Sequence, residues 1–267
     1  MFDPIIQFRK RLAAGDILLG PGINLTDLQA SDALAESSDF FWFDLEHQAM
    51  SCEALRNHLI LARAKNTPGI VRVPDSSHQA MQSILDAGAH GIIVPQVRSV
   101  EQVQQIVAAC RYPPAGQRGF WPMIPTNYCR DDVPPYLEQA NANLFVSVMI
   151  ETIEAVDAID EIVAVNGLDS IVLGLMDLSG SFGLLGQVDH PKVVTSMEKV
   201  IASAKAVGIP VGCGQGTDAE RIRGLARRGI QWFQTGMDCQ YLVEFLDQLA
   251  ARVRDGLEQP EWSSRPA

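Results

Sequence analysis

The stretch Asp86-Ala87-Gly88-Ala89-His90-Gly91-Ile92-Ile93-Val94-Pro95 decides the fold. An amphipathic run, His78–Ala87, breaks at Gly88, the residue type that closes a helix in the left-handed region without a Cβ penalty. The apolar run that follows is short and β-branched, as in a strand buried on both faces of a parallel sheet. The same phrase recurs at Ala206-Val207-Gly208 before Pro210–Cys213, and at Arg228-Gly229 before Gln231–Thr235.

Working outward, further strands are expected at Ile17–Gly20, Phe40–Asp44, Gly69–Val73, Leu144–Ile150 and Ser170–Gly174, with Gly91–Pro95 from the opening phrase. Amphipathic helices are expected at Leu25–Ser37, Cys52–Ala64, His78–Ala87, Val100–Cys110, Ile153–Val163, His190–Val207, Asp218–Arg228 and Cys239–Arg254. In the last of these, Leu242, Phe245, Leu246, Leu249 and Val253 follow the 3.6-residue period. Eight strands alternating with eight helices predict an α/β protein of the (β/α)8 TIM-barrel class, with a doubly wound open sheet as the competing arrangement. Residues 1–255 read as one barrel domain and 256–267 as a C-terminal tail. The proline-rich segment Arg111–Ala142 reads as a long excursion, the kind of loop that serves as a lid or an interface piece.

Composition narrows the function. The chain has 21 Lys and Arg against 32 Asp and Glu, for a net charge of −11. That excess of acid argues against a nucleic-acid partner and against an anionic membrane surface. No run approaches the ~18 apolar residues of a membrane span. The five cysteines are scattered, odd in number and without a C-x-x-C pair. They read as free thiols in a reducing cytoplasm rather than disulfides or a thiolate zinc site.

In a barrel of this class the chemistry sits where the strands end. Those ends carry Asp44-Leu45-Glu46-His47, then Arg72, Pro95-Gln96, Glu151 and Asp177. Glu151 and Asp177 are candidate ligands for a hard divalent cation that keeps water in its remaining positions. The plain alternative is that Glu151 caps a helix and Asp177 caps the following turn. His47, beside two carboxylates, is a candidate general base, with a hydrogen-bonded structural histidine as the alternative. His58, His78, His90 and His190 read as structural. No lysine stands at a strand end, which argues against Schiff-base chemistry. Gly212-Cys213-Gly214-Gln215-Gly216 offers a weak phosphate cradle, with packing as the simpler explanation.

Taken together, Phe43-Asp44-Leu45-Glu46-His47, Val71-Arg72-Val73-Pro74, Ile84-Leu85-Asp86-Ala87-Gly88-Ala89, Gly91-Ile92-Ile93-Val94-Pro95, Arg111–Gly119, Met149-Ile150-Glu151-Thr152 and Asp177-Leu178-Ser179 resemble the HpcH/HpaI aldolases, metal-dependent class II pyruvate aldolases. The resemblance covers about residues 5–255. It implies that His47 is the catalytic base, that Asp86 raises the basicity of that histidine, and that Arg72 stabilises an enolate. It implies Glu151 and Asp177 as metal ligands for Mg²⁺ or Mn²⁺, with Co²⁺ or Zn²⁺ as further candidates. Met176 would bind substrate through its backbone, and Asp44 and Glu46 would order metal-bound water. The implied reaction is cleavage or formation of a 4-hydroxy-2-oxo acid from a pyruvate or hydroxypyruvate enolate and an aldehyde. A related barrel lyase or decarboxylase, and a catalytically silent metabolite-binding barrel, are the alternatives. The implied assembly is a homohexamer, a trimer of dimers, with a swapped or packing C-terminal helix. Two departures stand out. Met149 occupies a position where the family often has glutamine, and Phe120-Trp121-Pro122-Met123-Ile124 is bulkier than expected after Arg118-Gly119.

Overall fold

In the computed structural model, which describes residues 1–255, eight parallel strands pair in sequence order and the last closes on the first. The strands are β1 (Leu18–Ile23), β2 (Phe41–Asp44), β3 (Gly69–Arg72), β4 (Gly91–Val94), β5 (Phe145–Ile150), β6 (Ser170–Leu173), β7 (Val211–Gln215) and β8 (Trp232–Met237). The helices are α1 (Asp3–Ala14), α2 (Leu28–Leu34), α3 (Cys52–Ala64), α4 (His78–Asp86), α5 (Val100–Cys110), α6 (Val133–Asn143), α7 (Ile153–Asp157), α8 (Ile159–Val163), α9 (Leu175–Ser181), α10 (Pro191–Val207), α11 (Ala219–Arg228) and α12 (Asp238–Arg254). The fold is a (β/α)8 TIM barrel. The expected tail, 256–267, lies outside the described residues.

The strand alternation sorts side chains into two layers. Trp42, Ile70, Ile93, Phe145, Met149, Val172 and Trp232 fill the barrel interior. Phe41, Phe43, Val71, Ile92, Val94, Val148, Ile171 and Phe233 face the surrounding helices. Helix α1 closes the N-terminal end of the barrel: Phe8 packs edge-on against Phe40 and Phe145 with ring centroids 5.5 Å away, and against Trp232 at 6.1 Å. Gly208 and Gly229 end α10 and α11 at φ 78° and 112°, as the opening phrase requires.

The structure departs from the sequence reading in several places. Helix α1 was not expected. It carries Ile5, Phe8 and Leu12 at helical spacing with Pro4 in its first turn, where a missing N–H does no harm. Helix α6 interrupts the expected excursion Arg111–Ala142, because Pro134 and Pro135 also lie in a first turn. The expected helix Ile153–Val163 divides into α7 and α8 around Ala158. Strand β1 runs on through Gly20-Pro21-Gly22, with a shift of register against β8 between Gly20 and Gly22 that accommodates the proline. Gly212-Cys213-Gly214-Gln215 falls within strand β7. A Cβ at Gly212 would collide with the Trp232 ring, so packing explains that glycine. No described helix is long and apolar enough to cross a membrane.

Candidate active site

The C-terminal ends of β2 and β3 supply the best-ordered part of the site. Asp44 and Arg72 are register partners on adjacent strands, so their side chains leave the barrel side by side. Arg72 donates Nε to Asp44 Oδ1 at 2.9 Å and Nη2 to Oδ2 at 2.6 Å, a bidentate pair that fixes the guanidinium plane. Its Nη1 lies 3.1 Å from Glu46 Oε2. Burial works against the charge on Arg72, but the hydrogen bond and charge of Asp44 outweigh it and hold the guanidinium above its ordinary pKa. Asp44 Oδ1 also accepts from the backbone N–H of Glu46 at 3.0 Å and of His47 at 3.4 Å, which shapes the turn after β2. His47 stands at the rim, its side chain 57% exposed, with Nε2 at 3.4 Å from Glu46 Oε2. Burial raises the Glu46 carboxyl above its usual range.

Glu151 follows β5 and is 1% exposed. Its Oε1 accepts the Gln96 N–H at 2.7 Å, and Gln96 adopts φ 56°, an uncommon backbone state that aims this donor. Its Oε2 is buried without a hydrogen-bond partner. Burial pushes the Glu151 carboxyl up to about 7, with the Gln96 hydrogen bond opposing and the charges of Glu46 and Asp177 adding to the rise. Glu151 is not a helix cap: α7 is capped by Thr152, which accepts the Ala155 N–H. Asp177 is not a cap either. It lies in the first turn of α9, whose N-cap Gly174 offers no side chain. A Cβ at Gly174 would collide with Glu151 Oε2, so only glycine leaves that oxygen its space.

Asp44, Arg72 and Asp177 line a cavity of about 150 Å³, together with Trp42, Met149 and Met176 among others. Met149 points inward from β5, and its Sδ lies 3.8 Å from Arg72 Nη1. The structure thus gathers Asp44, Glu46, His47, Arg72, Met149, Glu151, Met176 and Asp177 at one end of the barrel.

Asp86 is the exception. It ends α4, just before β4 begins, and so lies at the N-terminal end of the barrel, whereas His47 follows the C-terminal end of β2. Within one chain the expected contact between His47 and Asp86 is not made. Asp86 instead accepts from Arg118 Nη2 at 2.7 Å, and Arg118 is stacked 4.5 Å from the Tyr112 ring centroid. The bulky segment Phe120–Ile124 shares that end: the Ile124 carbonyl accepts from Arg63 Nη1 at 3.0 Å, and Ile124 abuts Gly88.

Sequence reasoning missed Asn24, Gln48, Gln234 and Met237, which also line the cavity. Gln234 carried a signal: it is a polar residue two positions after inward-facing Trp232 on the same strand.

The HpcH/HpaI aldolase/citrate lyase family profile matches residues 26–244. The chain belongs to this family. As an HpcH/HpaI aldolase it is a class II carbon–carbon lyase. It is 31% identical over 252 residues to a hydroxypyruvate/pyruvate aldolase of Roseovarius nubinhibens, covering 94% of this chain and 98% of that one. It is 32% identical over 230 residues to a 5-keto-4-deoxy-D-glucarate aldolase of an Enterobacter species, covering 86% and 88%. Among solved structures, the HpcH/HpaI aldolase of Desulfitobacterium hafniense superimposes with a TM-score of 0.85 at 30% identity, covering 94% of this chain and 97% of that one.

Proposed function

We propose that this HpcH/HpaI aldolase is metal-dependent and cleaves or forms 4-hydroxy-2-oxo acids, with pyruvate or hydroxypyruvate as the enolate half. The observation that carries the reading is Glu151: a buried carboxylate with one oxygen unpartnered, beside a second carboxylate, Asp177, and a fixed guanidinium, Arg72. A buried anion of this kind is costly unless a cation compensates it. Two carboxylates supply hard oxygen donors, which fits Mg²⁺ or Mn²⁺, and admits Co²⁺ or Zn²⁺. Glu151 and Asp177 would hold the cation. When bound, it supplies Lewis acidity to the carboxylate and carbonyl oxygens of a 2-oxo acid.

The chain's own residues do the rest. Asp44 and Glu46 hold the Arg72 guanidinium at the cavity wall, so its charge is in place before an enolate oxygen develops. In cleavage, His47 takes the proton of the substrate's 4-hydroxyl. The C3–C4 bond breaks, an aldehyde leaves, and the electron pair settles on the enolate beside Arg72. Addition runs the same steps backward, with His47 returning the proton. Met176 offers its backbone at the cavity mouth, and Met149 gives the floor beside Arg72 a thioether surface. Asp86 is supplied to His47 by a second copy, since the two residues lie at opposite ends of one barrel.

A homohexamer, built as a trimer of dimers, fits this division of the site. Its surfaces are the apolar face of α12, where Leu242, Phe245 and Leu246 are 63–64% exposed, and the segment Phe120–Ile124, where Trp121 is 69% exposed. Residues 1–255 act as one barrel domain in this reading, and free cysteines fit a reducing cytoplasm. The test is pyruvate release from a 4-hydroxy-2-oxo acid, measured with and without chelator. Loss on chelation and return with Mg²⁺ or Mn²⁺ supports the reading, and full turnover in metal-free protein overturns it.

A further inference from the structure

The active-site cavity does not end at the metal-side carboxylates. A second cavity of about 400 Å³ adjoins it over the ends of β7 and β8, and Leu175, Met176, Gly214, Gln234 and Met237 line both. Alone, the first cavity is smaller than an ordinary ligand site, whereas the two together fall in the usual range of ~300–1,000 Å³. The chemistry changes along this cleft. The first cavity carries Asp44 and Asp177, while the second has no carboxylate in its lining and presents Gln215, Arg221, Gln234 and Gln240. Asp189, paired with Arg221, and Glu244, paired with Gln240, stand outside that lining. In a chain with 32 acidic residues against 21 basic ones, the one guanidinium that lines this cavity points to a negatively charged ligand group.

Arg221 is positioned for such a role. Its Nε donates to Gln215 Oε1 at 2.9 Å, which orients the guanidinium from the β7 side. Its Nη1 lies 3.2 Å from Asp189, whose side chain is 80% exposed, so that pair is screened by water and holds the arginine weakly. No hydrogen bond engages Nη2 among the described residues. Gln215 is held in turn, its Nε2 donating to the Gly214 carbonyl at 2.7 Å.

We infer that Arg221, oriented by Gln215, forms a distal subsite that binds an oxyanion on the far end of the aldehyde half. Arg221 is a specificity-determining residue in this assignment. It contacts neither the bond that breaks nor the donor half of the substrate. The assignment rests on the aldolase reading above, and the oxyanion is a carboxylate or a phosphate.

The test uses the wild-type enzyme first, with pyruvate as donor and matched acceptors: an aldehyde ending in a carboxylate, its methyl ester, a phosphorylated hydroxyaldehyde, and the unphosphorylated parent. One of the two anionic acceptors is expected to exceed its neutral counterpart by ~10–100-fold in kcat/KM, the range of a charge-assisted contact, and which one does so identifies the oxyanion. Equal rates for charged and neutral partners in both pairs overturn the subsite. Arg221→Gln is then expected to raise KM for the preferred anion by ~10-fold or more, with kcat and the neutral acceptors little changed. An equal loss for charged and neutral acceptors contradicts the role. Deuterium exchange into the pyruvate methyl group needs no acceptor. Its persistence in Arg221→Gln, with selectivity lost, supports the subsite; its absence from wild type instead counts against the aldolase reading.

Discussion

Replacing Glu151 with glutamine in metal-free protein isolates the most unusual electrostatic feature of the site. Burial pushes the Glu151 carboxyl from its usual 4.5 up to about 7. The folded protein therefore keeps a proton that the unfolded chain releases between those values. Stability contributed by this proton is fully present below pH 4.5 and is lost as pH rises to about 7. At roughly 1.4 kcal/mol per unit of pKa difference, the whole window is worth about 3 kcal/mol. The chain's pI of about 4.8 makes its acid end prone to precipitation. Between pH 5.5 and 8 some 1.5 units of the window remain, or about 2 kcal/mol. Glutamine can still accept the Gln96 N–H but never ionises. Asp169, also raised by burial but not coupled to Glu151, contributes equally to both proteins and cancels. Urea unfolding in chelator, at one protein concentration, should show wild type losing about 2 kcal/mol more than Glu151→Gln across that range. Adding Mg²⁺ or Mn²⁺ at pH 8 should recover the loss in wild type only, since the cation binds the folded, ionised form. Parallel pH profiles for the two proteins would refute the burial argument.

His47→Ala should slow cleavage by ~10²–10⁴-fold, the range of a positioned proton-transfer group, and Asp86→Asn by less; wild-type kcat/KM in either variant removes that residue from the site. Because His47 and Asp86 lie at opposite ends of one barrel, co-refolding the His47→Ala and Asp86→Asn chains should raise activity above that of either variant alone. No recovery in a demonstrated mixed oligomer contradicts the shared site. Met149→Gln should lower KM for pyruvate by up to about tenfold with kcat little changed, because the amide can donate one hydrogen bond that the thioether cannot. Unchanged KM with a lower melting temperature would make Met149 a packing residue. Phe245→Glu with Leu246→Glu should dissociate the assembly in light scattering, and an unaltered mass places the interface elsewhere.

Much of the barrel was legible because parallel strands buried on both faces are short and apolar, and because Gly88, Gly208 and Gly229 mark where helices stop. Helices Cys52–Ala64 and Val100–Cys110 fall at the expected bounds, each with a serine at its N-cap. Helices α1 and α6 were obscured by prolines, which read as breakers until their place in a first turn is known. The grouping of Asp44, Glu46, His47, Arg72, Glu151 and Asp177 followed from strand ends alone. The position of Asp86 was also implicit in the sequence: it precedes its strand, whereas His47 follows one, and strand direction puts them at opposite ends. Arg221 escaped notice because one arginine on a helix has no pattern along the chain, Gln215 was read only as part of a weak phosphate cradle, and Gln234 was passed over despite its place two residues after Trp232. Only barrel closure, which brings β7 and β8 beside β1, turns them into a wall.

The most direct test of metal-assisted enolate chemistry is deuterium exchange into the methyl group of pyruvate, followed by proton NMR with no aldehyde present. Wild-type protein should exchange in the presence of Mg²⁺ or Mn²⁺, stop on chelation and resume on re-addition. Glu151→Gln and Asp177→Asn should remain folded and exchange no faster than buffer. Exchange that persists in chelated wild type, or at full rate in both variants, would contradict the assignment of Glu151 and Asp177 as the cation's ligands.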